Sequence, residues 1–374
     1  MIKFLDIYKQ DKVLHKSILQ SIKKLFKNGD FILGKEVEKF EINFAKFCGS
    51  KYAISCGNGT DALTIALKVL NLPNDSEVII PAMTYCSTAF AVLNANLKPV
   101  LVDTEYLTPT INIEDLKKKI TKKTKALMIP HIYGFPCEMD KILNICKKYK
   151  LYLIEDAAEM IGQTYKNKPC GSFGDISTFS FYANKHITTG EGGMVFTNNK
   201  NFFEKFNSFK NLSFGKKNRF NHSDISWNYR ITNMQAALGV SQVSRLKKII
   251  KKKREIGNFY YEKFKNNKNL IIQPTKFDYA ENIFWIYGIV LKKGSKKYRQ
   301  EIQSKLLKIN IDTRSFFWPM HKQDIFKKMG LFKKEKYPVS EFLSNNGFYI
   351  PSGINLSYAK LNYIANSINQ LTSK

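Results

Sequence analysis

Apolar and polar positions alternate between two periods through the first part of the chain. Tyr52 to Ser55 is a short apolar strand that runs into the polar turn GNGT, and DALTIALKVL follows with its apolar face at helical spacing. EVIIPAMTY predicts a strand rich in Val and Ile, followed by a helix around Ala89 to Asn94. KPVLVD reads as a strand and INIEDLKKKI as a helix opened by the polar residues Asn112 and Asp115. KALMIPHIYG, MDKILNICKKYK and LYLIEDAAE continue the series as strand, helix and strand end. Strands that alternate with helices and are apolar on both faces imply a mostly parallel sheet covered on both sides. In such α/β sheets ligands bind at the carboxyl ends of the strands, where the polar motifs of this chain fall.

After GGMVFTN the pattern changes. Met234 to Lys253 predicts one long helix, with Met234, Ala237, Leu238, Ser241 and Leu246 near helical spacing. The domain change is expected near Ile250. This gives a large α/β domain over residues 1–250 and a smaller α+β C-terminal domain over 251–374, with a strand in NIFWIYGIVL and a helix from Arg299 to Lys308.

Four features carry chemistry. In SCGNGTDAL a strand ends in a glycine-bracketed turn and a helix begins at Thr60 or Asp61. Free N–H groups and the helix dipole make that place an anion site, and Gly57 and Gly59 let the backbone approach a phosphate. In LIEDAAEMIG, Glu155 and Asp156 end an apolar strand, so one carboxylate is aimed at the crevice. Asp156 is the one chosen, and Glu159 three residues on would face the same way if the chain turned helical. In GSFGDISTFSFYANKHITTGEGG, Lys185 follows an apolar strand and precedes a flexible polar turn. That is where a Schiff-base lysine can be kept partly out of water with room to swing. Ser180, five residues earlier, can donate its hydroxyl to a phosphate, and GEGG lacks the GxGxxG spacing of a dinucleotide fingerprint. In ISWNYRITNMQAALG, Asn228 and Arg230 stand just before the long helix in a stretch too polar for core.

Composition changes the picture little. A chain of 374 residues with 44% apolar residues can bury a sizeable core. The first residues, MIKFLDIYKQDKVLHKS, have no apolar run or cleavage site of a signal peptide, and no stretch is long and apolar enough to span a bilayer. A cytoplasmic protein without a membrane partner is expected. Six scattered cysteines form no metal-ligand spacing, so reduced thiols and no metal are expected. The net charge of +29 includes Lys216, Lys217 and the run from Lys247 to Arg254. None of it lies in a nucleic-acid-binding motif or interleaves with stacking aromatics, so it is read as a lysine-rich surface with no nucleic-acid partner.

Taken in order, GKEVEKFEINFAKFCG, NGTDAL, VIIPAMTY, PVLVD, YGFPCEMD, IEDAAE, NKHITTGEGG, NYRITNMQAALG, WPMH and YIPSG resemble the DegT/StrS-type sugar-nucleotide aminotransferases over nearly the whole chain. Within them the NKHITTGEGGM run, the MTY segment and WPMH look most like the GDP-perosamine synthase type. The resemblance implies fold type I with a seven-stranded-type sheet, pyridoxal 5'-phosphate (PLP) as cofactor, and pyridoxamine 5'-phosphate as its aminated form. It implies transamination of a nucleotide-linked keto sugar, GDP-4-keto-6-deoxymannose in type, with L-glutamate giving 2-oxoglutarate and an amino sugar destined for lipopolysaccharide O-antigen or a similar surface polysaccharide. A dTDP- or UDP-linked 3- or 4-keto sugar or an 8-keto octulosonate is an alternative. From other classes, a PLP-dependent sugar dehydratase or a non-catalytic regulator stays open. By matching positions Lys185 would hold the cofactor, Asp156 would pair with the pyridine nitrogen and Tyr85 would lie over the ring. Gly59, Thr60 and Ser180, with Asp61 beside them, match phosphate positions, and Glu159 stands near the ring hydroxyl. Asn228 matches a residue that reaches the phosphate of a neighbouring subunit, which implies a homodimer with shared sites. His186, Arg230, Trp318 and His321 are candidate sugar contacts. Relatives with His in place of the lysine are dehydratases; here that position is Lys185 and His186 is its neighbour. KNLSFGKKNRFNHSDISWNYR lacks the usual RxHG form, so substrate carry-over is least secure there.

Overall fold

A computed structural model describes residues 1–6, 12–215 and 217–373; Lys216 of the basic run lies outside the described residues. The chain opens with two helices, α1 (His15–Asn28) and α2 (Lys35–Cys48). The predicted alternation follows: β1 (Tyr52–Cys56), α3 (Gly59–Val69), β2 (Glu77–Pro81), α4 (Cys86–Asn94), β3 (Lys98–Val102), α5 (Ile113–Lys119), β4 (Thr124–Pro130), α6 (Met139–Tyr149) and β5 (Tyr152–Asp156). Then come β6 (Ile176–Ser180), β7 (Gly193–Thr197) and α7 (Lys200–Phe209). The seven strands form one sheet in the order β1-β7-β6-β5-β4-β2-β3. All neighbours are parallel except β7, which runs against both β1 and β6. Apolar clusters cover both faces, one holding Phe40, Phe44, Ile129 and Phe179, the other Ile54, Leu67, Ile80 and Met128. A sheet buried on both faces reads as near-continuous apolar runs, and β2 and β6 are buried at every position.

The single long helix expected over 234–253 is two helices, α8 (Asn233–Val243) and α9 (Leu246–Phe264). The two halves answer to different partners. Thr232 and Gln235 form a capping box that fixes the start of α8. At its far end the Gln242 amide donates to the Thr188 carbonyl at 2.6 Å and accepts the Thr188 N–H at 3.0 Å, which ties α8 to the TTGEGG turn. After the break at Ser244–Arg245, the first turns of α9 (Leu246, Ile249, Ile250) bury against the large sheet's core. Its later turns (Ile256, Tyr260, Phe264) join a separate cluster. The expected domain boundary near Ile250 therefore falls inside a helix that packs on both.

That second cluster surrounds a four-stranded antiparallel sheet of β8 (Leu270–Ile272), β9 (Tyr287–Leu291), β10 (Arg314–Ser315) and β11 (Gly347–Ile350), in the order β8-β9-β11-β10. Helices α10 (Lys296–Lys308), α11 (Pro338–Asn346) and α12 (Tyr358–Thr372) accompany it. The strand expected through NIFWIYGIVL begins only at Tyr287. Asn282 Oδ1 takes the Phe284 N–H at 2.7 Å and Phe284 has a φ of 48°, so the preceding backbone is turned, not extended. Residues from the other end of the chain complete this unit. Ile2 N–H donates to the Asn310 carbonyl at 2.7 Å, the Ile2 carbonyl accepts from Asp312 N–H at 3.1 Å, and the Phe4 ring lies 4.9 Å from Tyr349. No helix among the described residues is long and apolar enough to cross a membrane.

Candidate active site

The carboxyl ends of β4, β5 and β6 and the start of α3 open into one cavity of about 660 Å³, within the usual range for small-molecule sites. Gly59, Thr60, Asp61, Tyr85, Asp156, Glu159, Ser180 and Lys185 all line it. Trp285 from the turn before β9, Tyr349 of β11 and Phe317 from the loop after β10 also line it.

The last two residues of β5 show how strand periodicity sorts two carboxylates. Successive side chains point to opposite faces. Glu155 turns inward and meets His131 Nε2 at 3.0 Å, the N–H groups of Gly171, Phe173 and Gly174, and the Ser177 hydroxyl. Burial alone would raise its pKa, but these donors outweigh it and hold the carboxyl below the usual range. His131, Glu155 and Cys170 carry possible metal-ligand atoms within 4.8 Å of one another, yet the carboxylate oxygens are already taken by these donors. Asp156 faces the cavity instead and accepts one hydrogen bond, from Ala158 N–H at 3.1 Å. Burial pushes its carboxyl upward, against the pull of the Ala158 amide and Lys185.

Glu159 reaches the cavity from a turn, not from a helix, and is held by the Tyr133 N–H at 2.7 Å. Burial pushes its carboxyl up to about 7. A carboxyl whose folded pKa lies above its unfolded value of 4.5 favours folding most when protonated. The contribution of Glu159 to the unfolding free energy of the cofactor-free chain is therefore expected to fall as pH rises from 4.5 to about 7. Glu159→Gln should flatten that window in denaturant titrations. An unchanged slope would show that Glu159 does not titrate there.

At the head of α3, the Asn58 side chain accepts the Asp61 N–H at 2.9 Å and donates to Asp61 Oδ2 at 3.0 Å. Burial pushes the Asp61 carboxyl up to about 6. The first amides of a helix have no intrahelical partner, so Gly59 and Thr60 present N–H groups at the cavity. Thr60 Oγ1 sits 2.6 Å from Ser87 Oγ, and Ser180 Oγ accepts from Tyr182 N–H at 3.2 Å. A Cβ on Gly59 would lie 3.0 Å from Ser180 Cβ and 3.3 Å from its Oγ, so a side chain there would push Ser180 by a few tenths of an ångström. Gly59→Ala should weaken cofactor binding about tenfold, one charge-assisted hydrogen bond's worth, measured by titrating the cofactor-free chain. Unchanged affinity would place the phosphate elsewhere.

The Lys185 amine makes no hydrogen bond or ion pair among the described residues and lies 4.3 Å from the Trp285 ring centroid. Burial pushes it below its ordinary range, while Glu159 and Asp156 pull it back up. The donor set suits a phosphorylated pyridine aldehyde. Its lining brings together the amides and hydroxyls at the head of α3 and the end of β6, an uncommitted carboxylate oxygen, an amine without an ion pair and the buried Thr178 hydroxyl, which has no partner among the described residues.

The other expected residues lie outside this cavity. Asn228 is exposed and bridges Asn211, whose side chain also accepts from Arg230 Nη1 at 2.6 Å. His186 is buried with Nδ1 3.1 Å from the Ile161 carbonyl. Trp318 donates its ring N–H to the Lys322 carbonyl, and His321 is buried against Glu341 at 2.9 Å. Conversely, His131, Thr178, Tyr182, Glu191, Trp285 and Tyr349 line the cavity without having been singled out. A polar residue ending the apolar run of β4 could have flagged His131; nothing in the sequence pattern marks Trp285 or Tyr349.

With the geometry in place, comparisons with known proteins agree. A model of the DegT/DnrJ/EryC1/StrS aminotransferase family matches residues 12–369. The GDP-perosamine synthase of Escherichia coli O157:H7 is 38% identical over 341 residues, covering 91% of each chain. The dTDP-3-amino-3,6-dideoxy-alpha-D-galactopyranose transaminase of Aneurinibacillus thermoaerophilus is 32% identical over 372 residues, 99% of each. The crystal structure of S. venezuelae DesV in complex with a ketimine intermediate superposes with a TM-score of 0.93 at 25% identity, covering 100% of this chain and 99% of that one.

Proposed function

The chain belongs to the DegT/DnrJ/EryC1/StrS aminotransferase family and is a PLP-dependent enzyme of fold type I, and on that premise we propose that it aminates a GDP-linked 4-keto-6-deoxy hexose with L-glutamate as donor. The observation that carries the reading is the cavity itself, which brings Asp156, Lys185, Ser180 and the head of α3 to one place. The preference for a GDP-linked sugar rests on the perosamine-synthase relative, and a dTDP-linked sugar is the next reading, supported by the Aneurinibacillus relative.

When bound, PLP supplies an electron sink that lets the donor's α C–H bond break. Gly59 and Thr60 amides and the Ser180 hydroxyl would hold its phosphate, and Asp156 its ring nitrogen. The uncommitted oxygen of Asp156 would keep a proton on that nitrogen, since a nearby carboxylate favours the charged form. Lys185 Nζ is the point of attachment. Displaced by the donor's amine, Nζ would take the proton from the donor α-carbon and give it to the cofactor carbon on the far side of the shared nitrogen. Its burial lowers the cost of being neutral, which a base requires. Tyr85, half exposed at the mouth with its ring 5.7 Å from Phe317, would cover the ring. Glu159 would lie near the ring hydroxyl.

The homodimer is part of the proposal: Asn228, exposed and outside its own cavity, would serve the partner's. A cytoplasmic setting suits six unpaired cysteines, five of them buried, and the product would feed surface-polysaccharide assembly such as O-antigen.

The visible spectrum tests the reading. Purified protein should show the yellow band of lysine-bound PLP, which bleaches on adding L-glutamate and returns on adding the GDP-linked keto sugar. A band that ignores glutamate, or that only a dTDP-linked sugar restores, overturns the donor or the carrier.

A further inference from the structure

Behind the Lys185 segment lies a second, much smaller cavity, lined by Asn184, Lys185, His186, Lys253 and Trp285 among others. Its volume is about 20 Å³, room for a single water. Three of these residues carry a buried polar atom with no partner: Asn184 Oδ1, His186 Nε2 and Trp285 Nε1.

The donor and acceptor roles can be read off. His186 Nδ1 meets the Ile161 carbonyl, which can only accept, so Nδ1 carries the proton and Nε2 is a bare acceptor. Burial pushes the imidazole down to about 3, so it stays neutral at ordinary pH. Lys253 Nζ donates to the Ser352 carbonyl at 3.0 Å and the Ser352 hydroxyl at 3.1 Å, which leaves a third N–H when it is protonated. The walls thus offer two acceptors, Asn184 Oδ1 and His186 Nε2, and two donors, Trp285 Nε1 and Lys253 Nζ. A water molecule has the matching complement, giving two hydrogens and accepting two. An anion would face two acceptor lone pairs, and a metal cation would face the lysine ammonium.

We propose that this cavity is an internal water site that positions Lys185, joining Asn184 and His186 on either side of the lysine to Trp285 beneath its amine. The Trp285 ring stabilises positive charge on the Lys185 nitrogen 4.3 Å away, and a hydrogen bond to its indole N–H fixes the ring's rotation. The positioning role rests on Lys185 being the cofactor lysine; the water site does not.

A crystal structure of the cofactor-loaded enzyme, resolved well enough to show solvent, tests the site. One water within hydrogen-bonding distance of His186 Nε2 and Trp285 Nε1 is expected; an empty cavity, or an ion in it, overturns the proposal. Positioning is read from the pH at which the visible band titrates and from the thermal midpoint of the cofactor-free chain. Asp156 and Glu159 act electrostatically on the same nitrogen and are left unchanged, so a shift reports the residues of the small cavity. His186→Leu should lower the titration midpoint by about half a pH unit or more, since a looser ring favours the charged nitrogen less, and should lower the thermal midpoint too. His186→Gln, which keeps an acceptor, should restore both. Trp285→Phe removes the N–H donor while keeping a ring, should act in the same direction, and serves if His186→Leu does not fold. An unchanged titration in both variants overturns the positioning role even with water present. A wild-type protein without a visible band would instead sink the cofactor reading, and the crystallographic arm would still decide the water.

Discussion

Lys185→Ala should abolish transamination, with both half-reactions falling at least about a thousandfold. In the proposed reading the amine has two tasks, attachment of the cofactor and proton transfer at the donor carbon, and no other lysine among the described residues lines the cavity. Lys253 contacts only the rear of the segment and is bonded to Ser352, so it is not available as a substitute. The variant should still bind PLP through Asp156, Ser180 and the head of α3, but with the absorbance of the free aldehyde. Stopped-flow spectra of the two halves, taken separately, check this. Residual turnover above about a tenth of wild type would remove Lys185 from the mechanism.

Asp156→Asn should lower kcat by about two to three orders of magnitude while leaving most of the cofactor bound. Asparagine keeps the size of the side chain and an oxygen for the Ala158 N–H. What it loses is the negative charge at the carboxyl end of β5. Burial makes that charge costly to hold, and its neighbours Ala158 N–H and Lys185 lower the cost. A charge kept under such conditions is expected to act on something that itself becomes positive. The complementary swap, Glu155→Gln, should behave differently. It would strip a carboxylate from His131 and three backbone amides, so its main effect should be on thermal stability. If both variants lost only stability, the assignment of Asp156 to the cofactor would fail.

The sheet was legible in the sequence because its strands are buried on both faces and bounded by polar turns, as in VIIPAMTY and LIEDAAE. The cavity-lining residues Asp156, Ser180, Gly59 and Thr60 were legible because each ends a strand or heads a helix, whereas Glu159 and Lys185 lie in the turns after β5 and β6 and were marked by their distance from those strand ends. The helix break at Ser244–Arg245 was not, since periodicity continues across it and only the choice of packing partner changes. Nor were Trp285 and Tyr349, which enter the cavity from the second unit, one just before β9 and one on β11. Their place depends on how that unit sits over the first, and no local pattern encodes it. His186 shows the same limit at a finer scale. Its neighbour Lys185 lines the main cavity, but the sequence alone does not say that the next side chain turns to the rear.

The pairing of Ile2 with the strand-like stretch around Ile311 sets an order on folding. During synthesis Ile2 emerges well before its partner Ile311, which is made about three hundred residues later. Until then Ile2 and Phe4 have no hydrophobic surface to cover, and the large sheet can assemble without them. Closing so long a loop adds little entropy beyond a shorter one, because the cost grows only logarithmically with length. The delay is one of sequence, not of free energy. Ile2 and Phe4 therefore wait for their partners, and their docking reports that the second sheet has formed.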